Sequence, residues 1–259
     1  MKNNENLITY NEQRNQENKK NFEGLFYHFK NGKSMMIKEY LGFKNCTVIF
    51  DDETIVYGVN LAHFKTGSVR NYNEKSVCNV GFLGIGKYNS STNKTAYDIW
   101  RGIISRCYST NIKKSCAMYK DCTVDTDWHN FQNFAKWFEE NYVDGFDLDK
   151  DLLYKGNKVY SAKTCCFLPS QVNSLFVIQK SKRNNGIIGV QKVSNKFSVM
   201  LKIKNKPTYL GLFVCQQSAF LAYKKAKEQN IKNMANEFKE FISEKAYRAM
   251  IGYKVEITD

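Results

Sequence analysis

Apolar and polar side chains alternate along residues 196–204. Phe197, Val199, Leu201 and Ile203 fall on one side, and Lys196, Ser198, Met200, Lys202 and Lys204 on the other. A period of two marks a half-buried strand, because successive side chains leave opposite faces of a sheet. Asn205-Lys206-Pro207 predicts a turn into a second strand at Tyr209–Phe213, and a short strand at Ile188–Val190 precedes both. The spacing then changes. From Gln216 to Asn230, Ala219, Ala222, Tyr223 and Ala226 recur at helical intervals, with Lys224, Lys225 and Lys227 outside them. This end of the chain predicts three strands and a helix, with one sheet face apolar and the other bearing lysines.

Upstream, Tyr97–Tyr108 predicts a helix with Ile99, Ile103 and Ile104 on one face. A second helix is expected near Trp128, where Phe131, Phe134, Ala135 and Phe138 supply an apolar stripe of the kind that fills cores. Leu148-Asp149-Lys150-Asp151 and residues 155–161 read as a hairpin leading into Thr164–Pro169, with a helix from Ser170 to about Phe176. Met36–Tyr40, Thr47–Phe50 and Ile55–Tyr57 read as strands, and Phe64–Val69 closes that segment with a turn at Gly67. Asn, Gly and Ser dominate residues 71–95, as in a connector. Its glycines lack the strand–helix setting of a dinucleotide fingerprint.

The expected fold class is therefore α+β and modular. A polar tail or exposed helix at 1–21 precedes a small β-rich accessory module at 22–72 and a linker at 73–95. A middle module follows at 96–180, and the three-stranded sheet packed on a helix occupies 181–259 together with a C-terminal extension.

Charge sharpens this picture. The 39 Lys/Arg and 25 Asp/Glu leave a net +14. Residues 1–95 contribute +4, residues 96–180 +1 and residues 181–259 +9. An excess of this size attracts polyanions, and lysines that neutralise phosphates are the main sequence-independent source of nucleic-acid affinity. A solvated basic surface that serves only solubility is the bland alternative. No run approaches the roughly 18 apolar residues of a membrane span, and the N-terminus lacks a signal-peptide core, so a cytoplasmic location without a membrane partner is expected. The eight cysteines include no C-x-x-C pair. Cys107, Cys116, Cys122, Cys165 and Cys166 are expected to be small core residues rather than zinc ligands.

A narrow antiparallel sheet suits the DNA major groove, with cations toward phosphate and intervening side chains toward base edges. Gly189-Val190, Lys196-Phe197, Leu210-Gly211-Leu212-Phe213 and Ala219 through Ala222-Tyr223 to Ala226 resemble the DNA-binding domain of ethylene-response-factor (APETALA-type) proteins. That resemblance implies a DNA-reading sheet with Arg183, Lys192, Lys196, Lys202, Lys204 and Lys206 as contacts. This copy is poor in arginine, and lysine offers a point charge without a bidentate fork.

The middle module resembles phage-encoded HNH-type endonucleases that carry such a domain at the C-terminus. The matching residues are Tyr97-Asp98-Ile99-Trp100-Arg101, Arg106-Cys107-Tyr108, Trp128-His129-Asn130-Phe131, Leu148-Asp149-Lys150-Asp151, Gly156-Asn157 and Thr164-Cys165. The resemblance implies a ββα-metal fold and a metal-dependent hydrolase of homing type, acting on double-stranded DNA in the host bacterial cytosol. Asp149, Asp151 and Asn173 would hold a divalent ion, Mg²⁺ or Mn²⁺. Lys150 stands where such enzymes carry the base histidine, and a protonated lysine accepts no proton unless burial lowers its pKa. His129 is the one histidine of the module and a possible surrogate base, while Asn157 either contacts DNA or fixes the hairpin turn. Two functions follow: a metal-dependent endonuclease, or a catalytically inactive DNA-binding or regulatory protein on a degenerate HNH scaffold. A blocking protein with no DNA partner is the third.

Overall fold

The structure is a computed structural model that describes residues 2–176, 187–204, 206–257 and 259. The chain is mixed α+β and divides into two compact units, one of Met1–Ser76 and Phe82–Ile85, the other of Val77–Gly81 and Gly86–Asp259.

In the first unit the polar N-terminal stretch is helical, α1 (Lys2–Phe22). Strands β1 (Phe26–His28), β2 (Ser34–Tyr40), β3 (Cys46–Phe50) and β4 (Ile55–Val59) then form an antiparallel sheet in sequence order. Its inner face buries Met35, Ile37, Val48 and Phe50 against Leu61 and Phe64 of α2 (Leu61–Lys65). The sequence placed only a closing turn here. Asn60 supplies the missing helix start, its Oδ1 accepting the Ala62 N–H at 2.9 Å.

The second unit begins within the glycine-rich stretch. Gly81 lies against Trp100, where an added Cβ would come within 2.9 Å of the indole. Trp100 belongs to α3 (Lys94–Tyr108), which packs on α5 (Phe131–Asn141) with Tyr97 and Trp100 against Phe131, and Ile103, Ile104 and Phe134 are fully buried as well. Between them lie α4 (Thr110–Ser115) and β5 (Thr123–Val124). Strand β6 (Phe146–Asp149) pairs antiparallel with β8 (Cys166–Pro169), and α6 (Ser170–Asn173) follows and packs on both. Between these strands, β7 (Val159–Tyr160) runs parallel to β5.

The C-terminal sheet has the order β11 (Lys206–Phe213), β10 (Lys196–Ile203), β9 (Val190–Val193). Val190, Val199 and Leu201 bury its inner face on Ala219, Phe220 and Tyr223 of α7 (Gln216–Glu237). Gly189, at φ +70°, lies so close to Tyr223 that a side chain there would meet the ring. Helix α7 runs seven residues beyond the expected end, and a further helix, α8 (Glu244–Gly252), starts from a Ser243 cap. These additions explain why a border at 180/181 does not divide the packing. Leu152, Leu168, Val172 and Phe176 share one core with Ile231, Met234, Ala246 and Met250.

Candidate nucleic-acid interface and nuclease-like hairpin

Pairing register settles which side chains share the outer face of the C-terminal sheet. Lys196 lies opposite Val193, Ser198 opposite both Gln191 and Leu212, Met200 opposite Tyr209, and Lys202 opposite Pro207. Directly paired residues project to one face. Val199 and Leu201, between them, point into the core. The outer face thus carries two lysines at the ends of a patch of Gln191, Val193, Ser198, Met200, Tyr209 and Leu212. Tyr209 is 58% exposed, and Lys196 and Lys202 form no ion pair among the described residues.

The expected row of lysines is only partly on this face. Lys192 pairs with Phe197 and Lys206 with Ile203, so the register assigns both to the side of α7. Lys204 occupies the turn with φ +46°, and its ammonium meets Glu237 of α7 at 2.9 Å. Arg183 lies outside the described residues. A bulge shifts the register between Val199 and Met200, letting Leu210 join the core while Tyr209 and Leu212 point outward. This bulge is why Tyr209 and Leu212 escaped sequence reasoning. The alternation along residues 196–202 was the available signal, and Ser198 and Met200 stood in it beside the lysines.

In the hairpin, Asp149 ends β6 and is 6% exposed. Its Oδ1 accepts the Leu152 N–H at 2.7 Å and the Asp151 N–H at 3.0 Å. Burial is the largest influence on this carboxyl and lifts its pKa. The Leu152 N–H opposes that rise and the Asp151 charge adds to it, for a net upward shift. Lys150 is also buried, and its Nζ sits 2.6 Å from Asp151 Oδ1, 3.3 Å from the Asn157 carbonyl and 5.8 Å from the centre of the Tyr160 ring. Asn157 closes the loop. Its Nδ2 donates to the carbonyls of Lys150 (2.9 Å) and Val159 (2.7 Å), and its Oδ1 accepts the Val159 N–H (3.1 Å). With both amide protons engaged inside the chain, Asn157 fixes the turn and has no donor left for a base or phosphate.

A cation of the chain itself, the Lys150 ammonium, already stands among these residues. The lysine ammonium occupies the Asp151 carboxylate, and one oxygen of Asp149 is taken by two backbone donors. Asn173 ends α6, half-buried, and among the described residues no group of three or more His, Cys, Asp or Glu is placed to hold a metal. His129 is drawn into a different task. Its Nε2 lies 3.1 Å from the Val124 carbonyl and 3.3 Å from the Tyr108 hydroxyl. A ring nitrogen that donates to a carbonyl cannot serve as a base at that atom. Desolvation pushes the Cys107 and Cys165 thiols up to about 12, the environment of core thiols rather than thiolate ligands.

The raised carboxyl has a measurable consequence. The folded pKa of Asp149 lies above its unfolded value, so its favourable contribution is fully present at low pH. That contribution is lost as pH rises from the ordinary carboxylate range through the raised value. Asp149→Asn keeps an oxygen for both N–H donors and removes the buried charge. In urea unfolding the variant should be more stable than wild type at about pH 7 and equal to it near pH 3. Lower stability at neutral pH would mean that the carboxylate charge serves a cation there.

No match arises when the chain is compared with protein-family models, with curated proteins or with solved structures. No helix among the described residues is long and apolar enough to cross a membrane.

Proposed function

We propose that this chain is a duplex-DNA-binding protein whose nuclease-like hairpin acts as a scaffold rather than a cutting centre. The outer face of the β9–β11 sheet supports the binding half: two lysines without an ion pair among the described residues flank a polar and apolar patch, within a segment that carries +9 of the chain's +14. The observation that carries the non-cutting half is the Lys150–Asp151 ion pair at 2.6 Å. It sets a cation where the HNH resemblance expects a base, and it engages one oxygen of a carboxylate that the same resemblance assigns to a metal. The Lys150 Nζ donates to Asp151 Oδ1 and lies 3.3 Å from the Asn157 carbonyl, so it is directed at acceptors within the chain.

A second reading, a metal-dependent HNH-type endonuclease, draws on the succession of β6, β8 and α6 with Asp149 at the end of its first strand. Purified protein incubated with supercoiled DNA and Mg²⁺ or Mn²⁺, beside Asp149→Ala, separates the two. The scaffold reading expects intact DNA from both proteins and a gel shift from both. Nicking by wild type that Asp149→Ala abolishes overturns it in favour of the enzyme.

A further inference from the structure

The sheet face also has a chemistry that bears on which duplex it prefers, and this inference rests on the DNA-binding reading above. Lys196 and Lys202 are six residues apart on β10, about 20 Å along an extended strand. Cations at the two ends of a face that enters a groove roughly 12 Å wide meet the phosphate walls. The middle of the face, which would meet the base edges, holds Gln191, Ser198, Met200, Tyr209 and Leu212. Met200 is 41% and Leu212 47% exposed, a high exposure for apolar side chains, and both lie on the face turned away from the sheet's buried core.

Each base pair presents a distinct edge in the major groove. Guanine offers two acceptors and is read best by a guanidinium fork, and among the described residues no arginine stands on this face. Thymine offers a methyl group, matched by apolar side chains, and adenine offers a donor and an acceptor, matched by a carboxamide. Met200, Leu212 and the Tyr209 ring supply the first surface, and Gln191 the second. Ser198, between Gln191 and Leu212 in the register, can donate or accept and discriminates little.

We infer that the outer face of the β9–β11 sheet selects A·T-rich duplex DNA by packing Met200, Tyr209 and Leu212 on thymine methyls, with Gln191 reading adenine. Lys196 and Lys202 hold the backbone on either side without regard to sequence.

The test uses the full chain and four short duplexes in fluorescence anisotropy at one salt concentration: A·T-rich, the same with every dT replaced by dU, G·C-rich, and the same with 5-methylcytosine. Removing the thymine methyl changes the major groove alone, so it separates methyl contact from a preference for the narrow minor groove of A·T tracts. The A·T duplex is expected to bind roughly tenfold tighter than the G·C duplex. Uracil substitution should remove most of that advantage, and cytosine methylation should recover part of it. Met200→Ala/Leu212→Ala should sharply reduce the difference between dT and dU duplexes, Tyr209 keeping a remainder, while leaving the salt dependence unchanged.

Equal, salt-dependent affinity for all four duplexes overturns the inference and leaves DNA binding standing. Affinity for none of them overturns both the inference and the DNA-binding reading.

Discussion

Trp100→Ala is expected to cost the second unit about 4 kcal/mol or more of unfolding free energy, the largest effect of any single substitution considered. The indole is fully buried on α3, 5.4 Å centre to centre from Phe131 and 5.7 Å from Tyr97. Its Nε1 donates to the Trp128 carbonyl at 2.7 Å. Truncation opens a cavity worth about 3–5 kcal/mol for a large aromatic, and it strands a buried carbonyl at a further cost of roughly 1–3 kcal/mol. Gly81 beside the ring has no side chain with which to fill that space. Trp100→Phe fills most of the volume and loses the hydrogen bond, so it should fall about midway. Urea unfolding followed by far-ultraviolet circular dichroism measures both. A loss below about 1 kcal/mol for Trp100→Ala would mean that the α3–α5 packing contributes little to the unit.

Reversing both outer-face lysines, Lys196→Glu/Lys202→Glu, should weaken duplex binding about a hundredfold near physiological salt. Each lysine that meets phosphate releases counterions, so losing two lowers the slope of log affinity against log salt by about two. Lys204→Ala serves as the control for net charge. Its ammonium is already engaged by Glu237 on α7, and its removal should change affinity by less than about threefold. If Lys204→Ala and the double reversal act alike, charge in general rather than this face drives association.

The regular elements were legible wherever one periodicity ran uninterrupted. The alternation from Lys196 to Ile203 and the stripe of Phe131, Phe134 and Ala135 correspond to β10 and α5, because each element buries one face and leaves the other toward solvent. The short helix α2 was not legible, since five residues cannot display a helical period and Asn60 was the sole marker. Glycines at 81 and 86 read as connector material because composition cannot separate a flexible glycine from one pressed against a ring or a glutamine. Trp100 and Gln132 make that difference, and both are distant in sequence.

The site was legible in part for a related reason. The order of Asp149, Lys150, Asp151 and Asn157 suggested a hairpin of 148–151 with 155–161, whereas β6 pairs with β8 and β7 with β5, so Lys150, Asp151 and Asn157 lie in the loop that follows β6. Lys150 could have pointed to solvent, and only the fold reveals that its ammonium is buried on Asp151 and the Asn157 carbonyl. The lysines of the C-terminal sheet were countable, but their faces were not. A turn at Lys204 and a bulge opposite Met200 assign Lys192 and Lys206 to the helix side and bring Tyr209 and Leu212 outward. The cationic surface is consequently smaller than a count of lysines suggests, and its chemistry is more apolar.

The most direct test of the account is the affinity of the full chain for a short duplex as salt is raised. Two phosphate contacts from Lys196 and Lys202 alone should lower affinity roughly tenfold between about 50 and 200 mM salt. A steeper fall would add contacts from elsewhere on the basic surface, whereas affinity that stays level across that range would contradict an interface built on phosphate neutralisation.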